Sequence, residues 1–389
     1  MKVFDQLPPA SPRIGFFRTV AGWKDAALVE FGPEGTMHYA QGSIKGETGN
    51  LYTTGMKERQ IIFGDTDTLE NAIRDIDRNV HPKLLFVTSS PVSEIIGADM
   101  ASIAFDLQPE ISAKLSVWDR VPVEGTQAQG ERAAYERAAK YLECLDCSPE
   151  KHGFVVLGLT EADWNGIADL GEIRRMAETY FDLPCLNDAD GRYCLSDLAC
   201  AEWILAVTPE AAVLAQKAQE LWGSEWHQCM PYGITACEKM IGALENALNR
   251  RAKPVWKRER MEARRIEAQL RDRFSHRSQR RVFVDARPSR CDAWAAFLTE
   301  LGAEVIRPSA QTPAFSTDGG LGAMPEIRDG DILLACGLLC AMYKRNPSLC
   351  IEYPAAEQRS YSRYIPLAGI RGVENFVFLF HDRMLRADE

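Results

Sequence analysis

The sequence lacks the features of a membrane, exported or nucleic-acid-binding protein. Its apolar runs are short, and none approaches the roughly 18 consecutive apolar residues of a transmembrane helix. The first residues contain no apolar core of a secretion signal, so we expect a cytoplasmic protein. The net charge is −10, whereas a nucleic-acid surface needs an excess of basic residues. We therefore expect neither a membrane nor a nucleic acid as a partner.

The sequence also lacks the paired spacing of a structural zinc site, although it contains 11 cysteines. Cys144 and Cys147 form one C-x-x-C, and no second pair follows at a matching distance. Cys336 and Cys340 lie in the very apolar segment ILLACGLLC, which favours buried, inert thiols. In a reducing compartment we expect thiols, metal ligands or core residues, and not disulfides.

Apolar segments typical of buried strands alternate with segments of helical spacing, which predicts an α/β fold with parallel sheets covered by helices. The length of 389 residues is too great for one hydrophobic core, so two or three domains are expected. The segment Thr235–Ser275 is predicted as one long helix, or as two helices that meet at Pro254. Its second half is rich in Lys and Arg, and it has only two aromatic residues, Trp256 and Phe274, which are not interleaved among the basic residues as a single-strand-binding surface requires. This pattern favours a solvated connecting helix over a surface for an acidic partner.

Three stretches near the N-terminus carry a recognisable set of motifs. The turn Gly32-Pro33-Glu34-Gly35-Thr36 exposes its backbone after an apolar strand, so that a ligand can approach the main chain closely. In order and spacing, the stretches resemble the motifs H-G-P-x-G-C, E-x-x-I-x-F-G and C-P-x-x-x-I-G-D-D of component 1 of the nitrogenase superfamily. The matching residues are Gly32, Pro33, Gly35; Glu58, Ile61, Phe63, Gly64, Leu69; and Pro91, Ile96, Gly97, Asp99. Weaker similarity at Trp226–Thr235 and Tyr361–Gly372 extends the match over most of the chain.

The resemblance implies three cysteines that hold an iron–sulfur cluster, and all three are missing. The first would lie near Ile14–Phe16, the second is replaced by Thr36, and the third is replaced by Ser90. Thiolate is the normal ligand of such clusters, and a hydroxyl is a poor substitute for it. A nitrogenase-type active-site cofactor would also need a Cys near Val207 and a His near Arg359, and neither is present.

The resemblance also implies an architecture and partners. We expect three Rossmann-like domains around a central cleft, with predicted limits of 1–150 for the N-terminal domain with the altered motifs, 151–250 for the middle domain and 251–389 for the C-terminal domain. The implied partners are a homologous component 1 chain, in a homo- or hetero-oligomer, and an ATP-dependent iron–sulfur reductase that delivers electrons. The implied substrate is a small molecule.

Three interpretations follow from the missing cysteines. In the first interpretation, the chain is a subunit of a nitrogenase-like reductase that shapes a substrate cavity and shares a [4Fe-4S] cluster held mainly by a sister chain. Alternatively, it is a cluster-free paralogue that acts as a binding or scaffold protein without redox chemistry. In the third interpretation, another cysteine has been recruited to a new metal site.

The candidate site residues follow from these interpretations. Those predicted to line the cluster pocket are Gly32, Pro33, Gly35, Thr36 and Ser90. His227 and Cys229, two residues apart on an extended segment, are predicted to share a face and to line the substrate cavity. The cationic and aromatic residues Arg359, Tyr361 and Tyr364 are predicted to line the same cavity, since Arg pairs with carboxylates and stacks on rings. His38 and Cys229 are the candidate metal ligands.

Overall fold

The computed structural model describes residues 11–44, 46, 48–122, 125–145, 150–276, 281–307, 327–352 and 365–387. Within these ranges the chain folds into a mixed α/β structure that contains three parallel sheets. The predicted fold class is therefore confirmed, while the domain limits near residues 150 and 250 stay predictions. None of the helices in these ranges combines the length and apolarity needed to cross a bilayer.

The first sheet has strand order β2-β1-β3-β4. The central pair runs in register from Ala26 opposite Leu84 to Phe31 opposite Ser89, and both strands are fully buried. The strand order reverses between β1 and β3, and such a switch point is where open parallel sheets bind ligands at their carboxyl ends. The strands are β1 (Ala26–Phe31), β2 (Leu51–Thr53), β3 (Leu84–Ser89) and β4 (Lys114–Trp118).

Helices cover both faces of this sheet. On one face, α1 and α7 approach so closely that a Cβ at Gly130 would lie 1.6 Å from the carbonyl oxygen of Pro12. The stacked rings of Phe16 and Trp118, 4.3 Å apart, fill the space beneath them. The helices are α1 (Pro12–Ala21), α2 (Glu34–Ser43), α3 (Glu58–Phe63), α4 (Asp67–Val80), α5 (Pro91–Ile96), α6 (Met100–Leu107) and α7 (Gln127–Leu142).

The second sheet has strand order β5-β6-β7, with β7 at an edge. The sequence predicts a helix from Pro209 capped by Thr208, and the Thr208 hydroxyl accepts a 3.3 Å hydrogen bond from the Ala211 amide. The strands are β5 (Phe154–Leu157), β6 (Trp203–Ala206) and β7 (Glu225–Gln228), and the helices are α8 (Gly166–Phe181), α9 (Asp197–Cys200), α10 (Pro209–Trp222) and α11 (Gly233–Ala247).

The third sheet has strand order β11-β10-β8-β9. Of the two alternatives for the segment Thr235–Ser275, the structure shows two helices, because α11 ends at Ala247 and α12 begins at Pro254. The strands are β8 (Arg281–Val284), β9 (Glu304–Ile306), β10 (Ile332–Cys336) and β11 (Ser348–Glu352). The helices are α12 (Pro254–His276), α13 (Pro288–Glu300), α14 (Gly337–Met342) and α15 (Gly369–Ala387).

Candidate functional site

The Gly32–Thr36 turn and Ser90 meet at the switch point of the first sheet. Gly32 follows the last residue of β1, Pro33 precedes α2, and Ser90 follows the last residue of β3. A Cβ at Gly32 would lie 2.6 Å from the Ser90 hydroxyl oxygen, so only glycine permits this approach. The spacing of the motifs therefore corresponds to a real juxtaposition in space.

The Thr36 hydroxyl is held by groups of its own chain. It lies 2.7 Å from Oε2 of Glu30 and 2.8 Å from the carbonyl oxygen of Pro33. Glu30 is fully buried, and Arg13 donates to its other carboxylate oxygen at 2.5 Å and to the carbonyl of Thr36 at 2.9 Å. The hydroxyl is thus one member of an Arg13–Glu30–Thr36 group, in which Glu30 is buried and the other two residues are half-buried.

The Ser90 side chain caps helix α5. Its hydroxyl accepts a 3.1 Å bond from the amide of Ser93, and the Ser93 hydroxyl accepts a 2.8 Å bond from the amide of Ser90. This reciprocal arrangement satisfies backbone amides at the start of the helix. Ser90 is fully buried.

These residues do not fit an iron–sulfur cluster. Such a cluster needs thiolate ligands, whereas the two hydroxyls here are bound within the chain. Across the part of the chain that the structure describes, no group of three or more His, Cys, Asp or Glu side chains could hold a metal ion. His38 is exposed on α2, where residues two positions apart, such as Thr36 and His38, do not face each other.

An open cavity of about 340 Å³ lies beside Ser90 at the carboxyl ends of β1, β3 and β4. The Ser89 hydroxyl donates to Glu94 at 3.0 Å on one wall. Arg120, on the opposite rim, has φ of 51°, a left-handed conformation that non-glycine residues adopt at some cost. The cavity can take a small polar molecule. Its polar lining residues are Ser89, Ser93, Glu94, Asp119 and Arg120.

Buried ion pairs join residues from the regions of all three sheets. Arg287, which follows β8, contacts Asp163 after β5, Glu131 on α7 at 3.3 Å and Glu352 at the end of β11 at 3.5 Å. Arg18 on α1 also pairs with Glu131 and lies 3.6 Å from Asp163. We call these five side chains the junction network. They join segments that are far apart in sequence.

The junction network continues through Arg290. Its guanidinium donates to the Tyr232 hydroxyl at 2.7 Å and lies 3.8 Å from Asp169 and 3.7 Å from Glu352. Asp169 in turn accepts bonds from the amides of Leu367 and Ala368 at 2.7 and 2.9 Å, which ties the start of α15 to α8.

Burial dominates the electrostatics of the junction network. It raises the pKa of Glu131 to about 7, and although Arg18 opposes this shift, the nearby Asp163 adds to it. Burial likewise raises the pKa of Asp163 and of Asp169, against the opposing effects of Arg18 and Arg290. A cavity bordered by Glu131 and Arg287 measures about 160 Å³. That is below the 300–1,000 Å³ typical of a small-molecule pocket.

His227 and Cys229 lie together at the edge of the second sheet. His227 is on β7 opposite Leu205, and the amide of Cys229 donates to the carbonyl of Ala206 at 3.1 Å. Burial lowers the pKa of His227 and raises that of Cys229 to about 12, with Lys239 acting on both side chains. Both side chains therefore lie near Lys239, and their predicted common face towards a substrate cavity stays a prediction. Neither lines the two cavities described above, and the predicted Arg359, Tyr361 and Tyr364 lie outside the described residues.

The local sequence patterns do not predict the junction network. One signal was available, because Arg287 comes three residues after β8 and Glu352 ends β11, and parallel sheets place functional side chains at the carboxyl ends of their strands. Glu131 and Arg18 carried no comparable signal, since each lies within a helix and not at the end of a strand. Only the packing of α1 against α7 makes both of them interior residues.

Comparison with known proteins agrees with the observed fold. A model of the family described as nitrogenase component 1 type oxidoreductase matches residues 11–334. The chain is similar to the nitrogenase iron-molybdenum cofactor biosynthesis protein NifN of Rhizobium meliloti (strain 1021). The two are 23% identical over 290 residues, which cover 66% of this chain and 63% of that protein.

Similarity extends to a second curated protein and to solved structures. The nitrogenase iron-molybdenum cofactor biosynthesis protein NifE of Clostridium pasteurianum is 27% identical over 124 residues, 30% of this chain and 27% of that protein. The chain thus spans less than two thirds of the length of either curated relative. Structures of nitrogenase Cp1 at pH 6.5 and at pH 5 superpose with TM-scores of 0.74 and 0.65 at 17% and 16% identity. The superposed residues make up 99% and 97% of this chain, and 94% and 88% of the two nitrogenase chains. The likeness shows a shared fold.

Proposed function

Because the chain belongs to the nitrogenase component 1 type oxidoreductase family, we propose that it is a cluster-free member acting as a binding or scaffold subunit beside a homologous chain. One observation carries the proposal. Both hydroxyls at the altered cluster positions are engaged inside the chain, Thr36 with buried Glu30 and Ser90 as the cap of α5. Each hydroxyl would have to break these hydrogen bonds in order to act as a cluster ligand.

The junction network supports the same conclusion. A large cofactor between the three sheets would have to displace these side chains, whose exposed fractions are 13% for Arg18 and lower for the other four. Displacing one partner of a buried ion pair leaves an uncompensated charge in the interior, which strongly lowers the stability of the fold. The curated relatives are named as cofactor biosynthesis proteins, which supports a role in binding or assembly.

A second candidate is the reductase subunit, which receives electrons from an ATP-dependent iron–sulfur protein and completes a [4Fe-4S] pocket built by a sister chain. The open 340 Å³ cavity beside Ser90 favours it, because Glu94 and Asp119 at its wall offer carboxylate oxygens to a group brought by a partner. In this case a small-molecule substrate would be expected in the same complex.

Iron and acid-labile sulfide content after anaerobic purification distinguishes the two candidates. We expect neither in the chain alone, nor in this chain after co-expression with a homologous chain and separation from it. One result would overturn the cluster-free proposal and favour the reductase subunit. In that result, the complex of this chain with its homologous chain retains stoichiometric iron and sulfide, and it loses both when Glu94→Ala and Asp119→Ala are combined.

A gain-of-cluster variant sharpens the test. Thr36→Cys combined with Ser90→Cys restores two thiols at the positions where the hydroxyls now bond internally. The proposal predicts no added iron, since the remaining ligands are absent, together with a lower melting temperature from loss of the α5 cap. The matched control is Thr126→Cys, which removes the cap of α7 away from this site. A rise in iron in the double variant alone would contradict the proposal.

A further inference from the structure

Three cysteines lie close to one another in the third sheet and the helix that follows its strand β10. Cys336 ends β10, Cys340 lies on α14, and Cys350 lies in β11. Cys336 is fully buried, whereas Cys340 and Cys350 are half-buried, and all three are free thiols. None of them lines the two cavities described above or belongs to the junction network. The proposed function therefore assigns them no role.

The neighbours of Cys350 in its strand fix the direction of its side chain. Leu349 and Ile351 are buried in the large core on one face of the sheet. Successive side chains of a strand point to opposite faces, so Cys350 points to the other face. On that face Cys340 packs against a small apolar cluster that contains Ala335 of β10. The two half-buried thiols therefore lie on the same side of the sheet.

The Cys340 thiol is held on the side of β10 that faces β11. It lies 3.8 Å from the carbonyl oxygen of Ala335, and Ala335 is the register partner of Cys350. The preceding carbonyl, that of Leu334, accepts a bond from the amide of Asp285 after β8. Because successive carbonyls of a strand point to opposite neighbours, the Ala335 carbonyl points to β11. The register shifts directly after Ala335, and such an irregularity re-aims side chains.

The surroundings of the two thiols distinguish their reactivity. Burial raises the pKa of Cys350 to about 12, and the neighbouring Cys340 adds to this shift. Burial raises the pKa of Cys340 to about 11, and a hydrogen bond with Ser348, two residues before Cys350 on β11, opposes the shift. Cys340 is therefore ionised more readily than Cys350. Because thiolate is the nucleophile in disulfide exchange, Cys340 is the thiol that attacks first.

We propose that Cys340 and Cys350 form a modification site, which low-molecular-weight disulfides such as oxidised glutathione convert to an intramolecular disulfide. The Cys340 thiolate attacks one sulfur of the oxidant, which breaks the S–S bond, forms a mixed disulfide and releases one thiol. The Cys350 thiolate then attacks the Cys340 sulfur and releases the second thiol. The two protein thiols lose two electrons and two protons, and one molecule of the oxidant is reduced to two thiols that take them up.

The disulfide fastens the edge of the third sheet. Strand β11 is an edge strand, and the bond ties it to helix α14. The last residue of β11, Glu352, belongs to the junction network. Oxidation therefore secures the strand that supplies this carboxylate. The inference is independent of the proposed function, because it involves neither the hydroxyls of Thr36 and Ser90 nor a partner chain.

Peptide mapping by mass spectrometry tests the site in the full chain. The folded protein is incubated with oxidised glutathione, the remaining thiols are blocked, and the chain is digested with trypsin. The digestion separates residues 329–344, which contain Cys336 and Cys340, from residues 346–359, which contain Cys350. We expect these two peptides to be joined, with a loss of two thiols per chain, and dithiothreitol should separate them again.

Substitutions identify the two partners. Cys340→Ser and Cys350→Ser should each abolish the joined peptides, whereas Cys336→Ala should keep them, since this thiol is fully buried. The matched control is Cys144→Ser, which removes an exposed thiol outside the third sheet and should leave the yield unchanged. Glutathione adducts without joined peptides, or joined peptides that persist in Cys340→Ser, would overturn the proposal.

The rate of joining reports the ionisation of the attacking thiol. Because the pKa of Cys340 is about 11, its thiolate fraction and the rate should rise about 10-fold per pH unit between about pH 7 and pH 9. A rate that levels off within this range would show that a different thiol attacks first, and would overturn the assignment of Cys340 to that step.

Discussion

Replacing Arg287 by Met tests whether the junction network holds the three sheets together. Met fills a comparable volume, so the main loss is the charge that contacts Glu131, Asp163 and Glu352. Arg18 and Arg290 remain near these carboxylates. The variant therefore gains about one uncompensated negative charge in the interior.

The expected cost follows from the burial of the group. The Arg287 side chain is only 10% exposed, and its three partners are less exposed still. Removing one partner of a buried ion pair typically lowers the free energy of unfolding by about 3–5 kcal/mol. The matched control is Arg307→Met, because the Arg307–Asp292 pair is well exposed, and exposed pairs contribute about 0–1 kcal/mol.

Urea denaturation at two pH values is the assay. Without Arg287, Glu131 and Asp163 are harder to ionise, so the variant loses more stability as the pH rises. We expect the difference from the unchanged chain to be larger near about pH 8 than near about pH 5, where the carboxyl groups take up protons. The conclusion that the junction network holds the three sheets together would be refuted in two cases. In the first, Arg287→Met lowers the free energy of unfolding only as much as Arg307→Met does, and in the second, its effect does not depend on pH.

Two further changes address the same part of the fold. Burial raises the pKa of Glu131 from 4.5 to about 7, so between these values the folded state binds more protons than the unfolded state. Stability should fall as the pH rises through this window, by on the order of 3 kcal/mol. Glu131→Gln should flatten that slope in pH-dependent thermal melts, and an unchanged slope would exclude Glu131 as its source. Gly130→Ala places a Cβ 1.6 Å from the Pro12 carbonyl and should destabilise the α1–α7 pair by about 3 kcal/mol or more in chemical denaturation. Gly171→Ala on α8 meets nothing within 4 Å and should be neutral or stabilising, so equal effects of the two alanines would contradict the close-contact explanation.

Much of the architecture was predictable from local patterns. The sequence predicts a helix over Pro209–Trp222, and α10 has these limits because Thr208 and Pro209 form a strong start signal and an apolar stripe follows. The sequence also predicts strands over Arg281–Val284 and Glu304–Ile306, which are the limits of β8 and β9. Strand β7 was not predicted as a regular strand, because its residues Glu225–Gln228 are half-exposed at a sheet edge and lack an apolar pattern.

The motifs predicted the family and the meeting of Gly32, Thr36 and Ser90, since their spacing follows the strands that carry them. The sequence could not predict how the two hydroxyls are used. That depends on Glu30, an acid within an otherwise apolar strand, and on Ser93, whose pairing with Ser90 requires helix α5 to form.

The sequence by itself determined the fold class, the family and the absence of the usual cluster cysteines, because each depends on residue identity and short-range spacing. Only the tertiary structure decided how the hydroxyls of Thr36 and Ser90 are bonded and which buried charges join the three sheets. The junction network brings together Arg18, Glu131, Asp163, Arg287 and Glu352 from all three sheet regions. It arises from long-range packing, in which a charge becomes interior through neighbours that are distant along the chain.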